Sequence, residues 1–266
     1  MGSDKKRIFR LFFQSNQGVK MRIHLHCPVK NDERILPYFF RHYDKYVEKY
    51  FFYYNIFSKD RTLDILKSHS NVTIINDNSK KLDERYLKEL KCTTWKNYTN
   101  IENCDWVIIC DTDEFLYNED LIELLKKYDR EKITFPKVKG YQMYCDSFPD
   151  DNCEKQIYEL IKKGIEAKNY DKFAIFKPNI FPNYSFGCHF ANPVGVGLNI
   201  NSEPEIKLLH YKIFGKEFVS KMMERQNDLS EFNKSQGMGV YSLDPNHKFN
   251  PQKEYEYVRD NCKEVI

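Results

Sequence analysis

The segment Asp105-Trp-Val-Ile-Ile-Cys-Asp-Thr-Asp-Glu-Phe-Leu116 places three acids, Asp111, Asp113 and Glu114, directly behind a short apolar run. Such a run, bounded by polar residues, reads as a buried strand. Strand side chains alternate, so Asp111 and Asp113 are expected on one side of its end. Two carboxylates held there repel each other unless a positive charge lies between them. A divalent cation with oxygen ligands meets that need, and Mg²⁺ completes its shell with substrate phosphates. These residues point to a metal–phosphate site. The plain alternative is that acids end strands because loops are solvated. A calcium-binding helix–loop–helix requires Gly at the sixth loop position and Glu at the twelfth. Counted from Asp111, those positions hold Leu116 and Ile122, which excludes it. A phosphatase-type nucleophile stays open, with Asp111 attacking phosphorus and Asp113 as acid/base. That motif normally sits on the first strand of its sheet, whereas three strand candidates precede this one.

The elements that must position these acids follow from periodicity. Residues 22–27 alternate and predict a first strand. Residues 31–47 carry Leu36, Phe39, Phe40, Tyr43 and Val47 at helical spacing, with Pro37 placing the regular start near Leu36. Strands are predicted at 50–54 and 72–75 and helices at 62–69 and 83–95. The fourth strand is 106–110, followed by a helix over 118–128 capped by Asn118. Strand–helix repetition predicts an α/β fold, a mixed and mostly parallel central sheet flanked by helices. Ligands in such sheets bind outside the carboxyl ends of strands. Residues 27–30, Asn55 and 111–113 all fall at such ends. The second half is less regular. Strands are expected at 133–135 and 141–144 around Lys139-Gly140, and at 173–176 and 206–211. Helices are expected over 153–163, ending at Gly164, and over 217–228. Beyond Leu229 the chain is polar with scattered aromatics.

The 266 residues suffice for one large core, with 41% hydrophobic and 30% charged residues as in ordinary globular proteins. A net charge of +3 is too small to imply a nucleic-acid partner. Nineteen tyrosines and twenty phenylalanines could stack on sugar rings, though most are expected in the core. No segment reaches the roughly 20 apolar residues of a transmembrane span. Residues 8–13 are too short to span and are interrupted by Arg10, and they lack the small-residue cleavage pattern of a signal peptide. Leu11-Phe-Phe-Gln-Ser-Asn16 resembles the remnant of a cleaved tag, and Met21 opens a strand-like run. Residues 1–20 are therefore read as a leader or expression-derived segment, 21–230 as the main domain, and 231–266 as a C-terminal extension. None of the eight cysteines forms a CxxC pair, so free thiols and a cytoplasmic location are expected.

Four motifs, taken in order, resemble the nucleotide-sugar-dependent glycosyltransferases of the A-type fold, specifically family-2-like members. The first is Cys27-Pro-Val-Lys-Asn-Asp-Glu-Arg-Ile-Leu-Pro-Tyr-Phe-Phe-Arg-His-Tyr43. The second is Tyr54-Asn-Ile-Phe-Ser-Lys-Asp-Arg-Thr62. The acid segment at 105–115 is the third, and Leu208-Leu-His-Tyr-Lys212 the fourth. They span residues 21–230 and imply a single glycosyltransferase A-type domain, with the 231–266 extension packed on or near its acceptor side. One departure is Asn55, where the family usually has Asp; an amide can still hydrogen-bond a base or ribose but carries no charge. Phe57 and Arg61 also replace turn glycines.

The resemblance implies transfer of a sugar from a UDP, GDP or dTDP donor to a glycan or glycoside hydroxyl, with inversion and with Mn²⁺ or Mg²⁺ as cofactor. It implies Asp113 as a direct metal ligand, Asp111 nearer the metal or the ribose, and His210 completing the metal site. Neutral imidazole suits Mn²⁺. Glu114 is expected to face away or to orient its neighbours. Lys212 and Lys216 are placed to pair with the diphosphate. An inverting reaction needs a base on the acceptor side. Asp146, behind the strand-like run 141–144, is the candidate; Asp150 and Asp151 read as solvated loop acids. His189 is a candidate for either sugar or for packing. Pro28, Val29, Lys30, Arg34, Asn55, Asn76 and Asp77 are candidates around the nucleobase and phosphates. A non-catalytic glycan-binding relative is the remaining alternative.

Overall fold

The computed structural model describes residues 21–149 and 154–266. Residues 1–20, Asp150 and Asp151 lie outside the described residues, as does Cys153. The first half alternates as expected: β1 (Ile23–Val29), α1 (Leu36–Tyr43), β2 (Lys49–Asn55), α2 (Thr62–Lys67), β3 (Val72–Asp77), α3 (Glu84–Cys92) and β4 (Trp106–Ile109). Local chemistry sets the helix starts. Pro37 occupies the first turn of α1, and the Asp83 side chain caps α3 by accepting from the Arg85 amide. Helices α1 and α3 then bury one face each, with Phe39, Phe40 and Tyr43 from α1 and Leu90 from α3 inward.

β5 (Glu114–Tyr117), α4 (Leu121–Glu131), β6 (Val138–Cys145), α5 (Ile157–Leu160), β7 (Lys163–Glu166), β8 (Ile175–Phe176) and β9 (Ile206–Phe214) follow. The chain then forms α6 (Glu217–Arg225), α7 (Glu231–Ser235), α8 (Pro251–Asn261) and β10 (Lys263–Glu264). One sheet has the order β3-β2-β1-β4-β8 and is parallel except for β8. The other has the order β10-β7-β6-β9-β5. This is the mixed α/β architecture expected. Strands β1 and β4 are buried almost throughout, as central parallel strands covered on both faces must be.

Several local expectations are corrected. Strand β5 was not foreseen, and it forces the following helix to start later. Asp120 is the cap of α4, accepting from the Glu123 amide at 3.0 Å, while Asn118 accepts from the Asp120 amide one turn earlier. Residues 133–135 form no strand, because the amides of Thr134 and Phe135 both donate to the Asn199 carbonyl in a loop. Lys139 and Gly140 lie inside β6 and not in a turn. The helix expected over 153–163 shrinks to α5, and Gly164 lies within β7, paired with Met143. The C-terminal segment is ordered: Tyr255 and Val258 of α8 pack with Tyr144, Ile213 and Phe218.

The turn at 110–113 joins the two sheets. β4 ends in the first, and β5 leaves it to pair antiparallel with β9, with Glu114 opposite His210. Helix α1 holds that crossing in place. Tyr43 Oη donates to the Glu114 carbonyl and accepts from the Leu116 amide, both at 3.0 Å. His42 Nε2 donates to the Leu116 carbonyl at 3.0 Å. Burial pushes His42 down to about 3, so the imidazole is neutral with its proton on Nε2. The His42-Tyr43 pair thus connects the first sequence motif to the acid turn.

Candidate functional site

The three acids behind β4 go to different partners. Asp111 Oδ1 lies 2.7 Å from Lys91 Nζ and its Oδ2 lies 3.8 Å from Lys172 Nζ. Lys172 also binds Glu114, whose other oxygen accepts from the Asp111 amide at 3.1 Å. Lys91 and Lys172 have only 8% of their side chains exposed and Glu114 1%. The four charges balance in a cluster that is buried except at Asp111, whose side chain is 38% exposed. Burial alone would raise the Asp111 carboxyl, but Lys91 and Lys172 outweigh it and hold it well below the usual carboxylate range. Glu114 thus contacts Lys172 and the Asp111 amide.

Asp113 has a different partner. Its Oδ2 lies 3.3 Å from His210 Nε2, and its carbonyl accepts from the Tyr211 amide at 2.7 Å. Burial raises its carboxyl, yet His210 lowers it further, and the group stays ionised. Asp111 is near enough to oppose that ionisation, so the two aspartates share one region while each has a cationic or imidazole partner. His210 is 4% exposed. Tyr170 stacks on its ring at 4.0 Å between centroids. Gly140 permits this, since a Cβ there would lie 2.2 Å from the Tyr170 backbone.

Asp32, which follows β1, joins the site. Burial pushes its carboxyl up to about 7; the Lys30 amide pulls it down and Asp113 adds to the rise. Lys212 lies two residues beyond His210 on β9. Burial, then Arg225, push it down to about 8 against the pull of Asp113 and Glu254. A cavity of about 320 Å³ opens beside this face, lined by Gln142, Tyr170, Glu254, Tyr257 and Val258.

The other expected residues are placed as follows. Pro28 and Val29 pair with Tyr53 and Tyr54 in the β1–β2 ladder. Lys30 bonds Asp228 at 2.9 Å. Arg34 bonds Glu217 at 2.9 Å and lies over the Phe148 ring. Asn55 Nδ2 donates to Asp77 at 3.2 Å and to the Ser79 carbonyl at 2.8 Å, which groups Asn55 and Asp77 at the ends of β2 and β3. Asn76 pairs with Tyr54 in the β2–β3 ladder. His189 Nδ1 donates to the Asn169 carbonyl at 2.7 Å, and its ring meets the edge of Tyr170. Lys216 is exposed at the start of α6. Asp146 accepts from Tyr144 Oη at 2.7 Å. Its carbonyl abuts Gly215, where a Cβ would lie 2.1 Å away. Sequence reasoning missed Lys91, Lys172, Asp32, Gln142 and Tyr170. Asp32 alone carried a signal, since it stands in the first motif. Among the described residues no three His, Cys, Asp or Glu side chains converge as a ready-made metal cage.

No family model matches the chain, and no curated protein matches it. Solved structures do. The structure aligns with residues 1–349 of S. aureus TarS, crystallised in complex with UDP-GlcNAc, over 81% of this chain and 70% of that one, at 13% identity and a TM-score of 0.44. Against another S. aureus TarS structure it covers 81% of this chain but 42% of that chain, at 13% identity and a TM-score of 0.39. The mannosyltransferase Ktr4p from S. cerevisiae aligns over 47% of this chain and 40% of its own, at 14% identity and a TM-score of 0.31. This chain thus spans about two-fifths of the length of the second of these TarS chains. A likeness this distant says nothing of donor, acceptor or mechanism. Among the described residues no helix is long and apolar enough to cross a membrane.

Proposed function

We propose that this chain is a metal-dependent glycosyltransferase of the A-type fold. It would move a sugar from a UDP, GDP or dTDP donor to a hydroxyl of a glycan or glycoside, with inversion. The observation that carries this reading is Asp113 and His210, about a hundred residues apart in sequence, meeting at 3.3 Å beyond the carboxyl end of β4. Ligands bind at that end of open α/β sheets. The ordered motifs further resemble the first glycosyltransferase domain of a chlorovirus capsid-glycosylating protein.

The residues fit a cation at Asp113 and His210. One carboxylate and one imidazole, with Asp113 28% exposed, leave the remaining positions to water and diphosphate oxygens, as suits Mn²⁺ or Mg²⁺. When bound, such a cation supplies Lewis acidity that offsets the charge growing on the departing diphosphate. Asp111, already neutralised by Lys91 and Lys172, is assigned to the ribose side of the metal. Lys212, with Lys216, is assigned to the diphosphate. Pro28, Val29, Lys30, Arg34, Asn55 and Asp77 are assigned to the nucleotide, and His189 to a sugar. The phosphatase reading is disfavoured, because an Asp111 nucleophile would have to attack while engaged by two ammonium groups. Free thiols at all seven described cysteines suit a reducing compartment, and we place the reaction in the cytoplasm.

The cavity beside Tyr170, Glu254 and Tyr257 is assigned to the acceptor, which gives the C-terminal helix α8 a part in binding it. Asp146 is assigned as the base. The acceptor oxygen bonds the anomeric carbon as the bond to the diphosphate breaks, and the hydroxyl proton passes to Asp146. Asp146→Asn is expected to lower transfer by at least about 10²-fold, the lower end of the acid–base scale, with nucleotide affinity unchanged. A transfer assay with a panel of nucleoside-diphosphate sugars, paired with titration of the nucleotide, measures both. Full activity in this variant would move the base elsewhere, with Glu254 tested next. Absence of transfer from every donor by the wild-type protein would reject the function.

A further inference from the structure

Gln142 is 2% exposed and lies opposite His210 in the parallel β6–β9 ladder. Its Nε2 stands 3.2 Å from two carbonyl oxygens, those of Met143 and His210. Carbonyl oxygens only accept, so this end of the amide is the NH₂ group. Its Oε1 stands 2.7 Å from His210 Nδ1. An amide oxygen also only accepts, so Nδ1 carries a proton. Asp113 Oδ2, beside Nε2, is also only an acceptor, so a charged ring gives one proton to each side. A neutral ring keeps its single proton on the close 2.7 Å contact to Gln142 and leaves the lone pair at Nε2, where the separation is 3.3 Å. Tyr170, stacked on the ring, keeps it from turning away.

We propose that Gln142 is a positioning residue that locks His210 in the Nδ1–H tautomer and aims the Nε2 lone pair at the space beside Asp113. What occupies that space rests on the proposed function; the tautomer rests on the amide network alone. Ligating histidines are generally fixed this way, by a hydrogen bond at the nitrogen that does not touch the metal. Here the acceptor is a neutral amide whose other end is anchored to two carbonyls, so it cannot flip without leaving both of them facing an oxygen. A glutamine buried only for packing would not dictate the ring's protonation.

The test is long-range ¹⁵N–¹H NMR of the imidazole rings in ¹⁵N-histidine-labelled protein, recorded at alkaline pH so that the rings are neutral. His210→Gln identifies the signal among the seven histidines. The wild type is expected to show the Nδ1–H pattern. Gln142→Leu should shift His210 to Nε2–H, the form an unconstrained imidazole favours, and Gln142→Glu should keep Nδ1–H. The carboxyl introduced by Gln142→Glu, buried against the Met143 and His210 carbonyls and so held protonated, donates to one of them and still accepts from Nδ1. In parallel, Mn²⁺ affinity without nucleotide, read by electron paramagnetic resonance, should fall about 10–100-fold in Gln142→Leu and recover in Gln142→Glu. An Nε2–H pattern in the wild type, or an unchanged pattern in Gln142→Leu, overturns the proposal. If Gln142→Leu does not fold, the wild-type and Gln142→Glu spectra still decide it. A wild type with the Nδ1–H pattern that binds no Mn²⁺ supports the lock and refutes the cation in the proposed function.

Discussion

Asp113→Asn is expected to lower turnover by about 10³-fold or more while leaving the unfolding temperature within a few degrees. The amide fills the same volume, and the Asp113 carbonyl that accepts from Tyr211 at 2.7 Å is untouched. What disappears is a full negative charge facing His210 Nε2. A bound cation contributes several kcal/mol of transition-state stabilisation, and each ~1.4 kcal/mol is a factor of ten in rate. Initial rates at saturating donor, with a thermal melt of the same sample, check both halves. Turnover within tenfold of wild type would remove Asp113 from the site.

Lys172→Met should do the reverse, acting first on stability. Lys172 bridges Glu114 and Asp111 inside the protein. Methionine fills a similar volume but leaves Glu114, 1% exposed, with the Asp111 amide and with Lys91, which is already bonded to Asp111. Removing one member of a buried ion pair costs about 3–5 kcal/mol. For a chain of this size that lowers the melting temperature by roughly 6–20 °C. The double variant Lys172→Met/Glu114→Gln removes the orphaned charge and should recover most of the loss, the non-additivity expected of groups in contact. A single variant that melts within about 2 °C of wild type would show that the cluster is more solvated than its geometry implies.

The contrast between these residues explains what could be read from the sequence. The acid turn was legible because its signal is local: an apolar run stops and carboxylates begin within a few residues. The β–α repetition of the first half was legible for the same reason. Lys91 and Lys172 were not, because nothing local marks a lysine as buried. Their burial follows from Asp111 and Glu114, which only the fold brings near. Gln142 and Tyr170 depend on the β6–β9 register and on the absent side chain at Gly140. β5 was hidden because four residues after a turn carry too little periodicity, and it is recognised only by its pairing with β9. The separate partners of Asp111 and Asp113 were hidden for a related reason. β4 ends at Ile109, so strand alternation no longer governs the turn, and the two acids reach different partners.

The central claim is that Asp113 and His210 hold a cation that in turn holds a nucleoside diphosphate. Isothermal titration of UDP, GDP and dTDP into the wild-type protein, with Mn²⁺ and again with a chelator, tests it most directly. Binding of at least one nucleotide that requires the metal, and that is lost in Asp113→Asn, is the expected result. Nucleotide affinity that is the same with metal and with chelator, or no binding by any of the three, would contradict it.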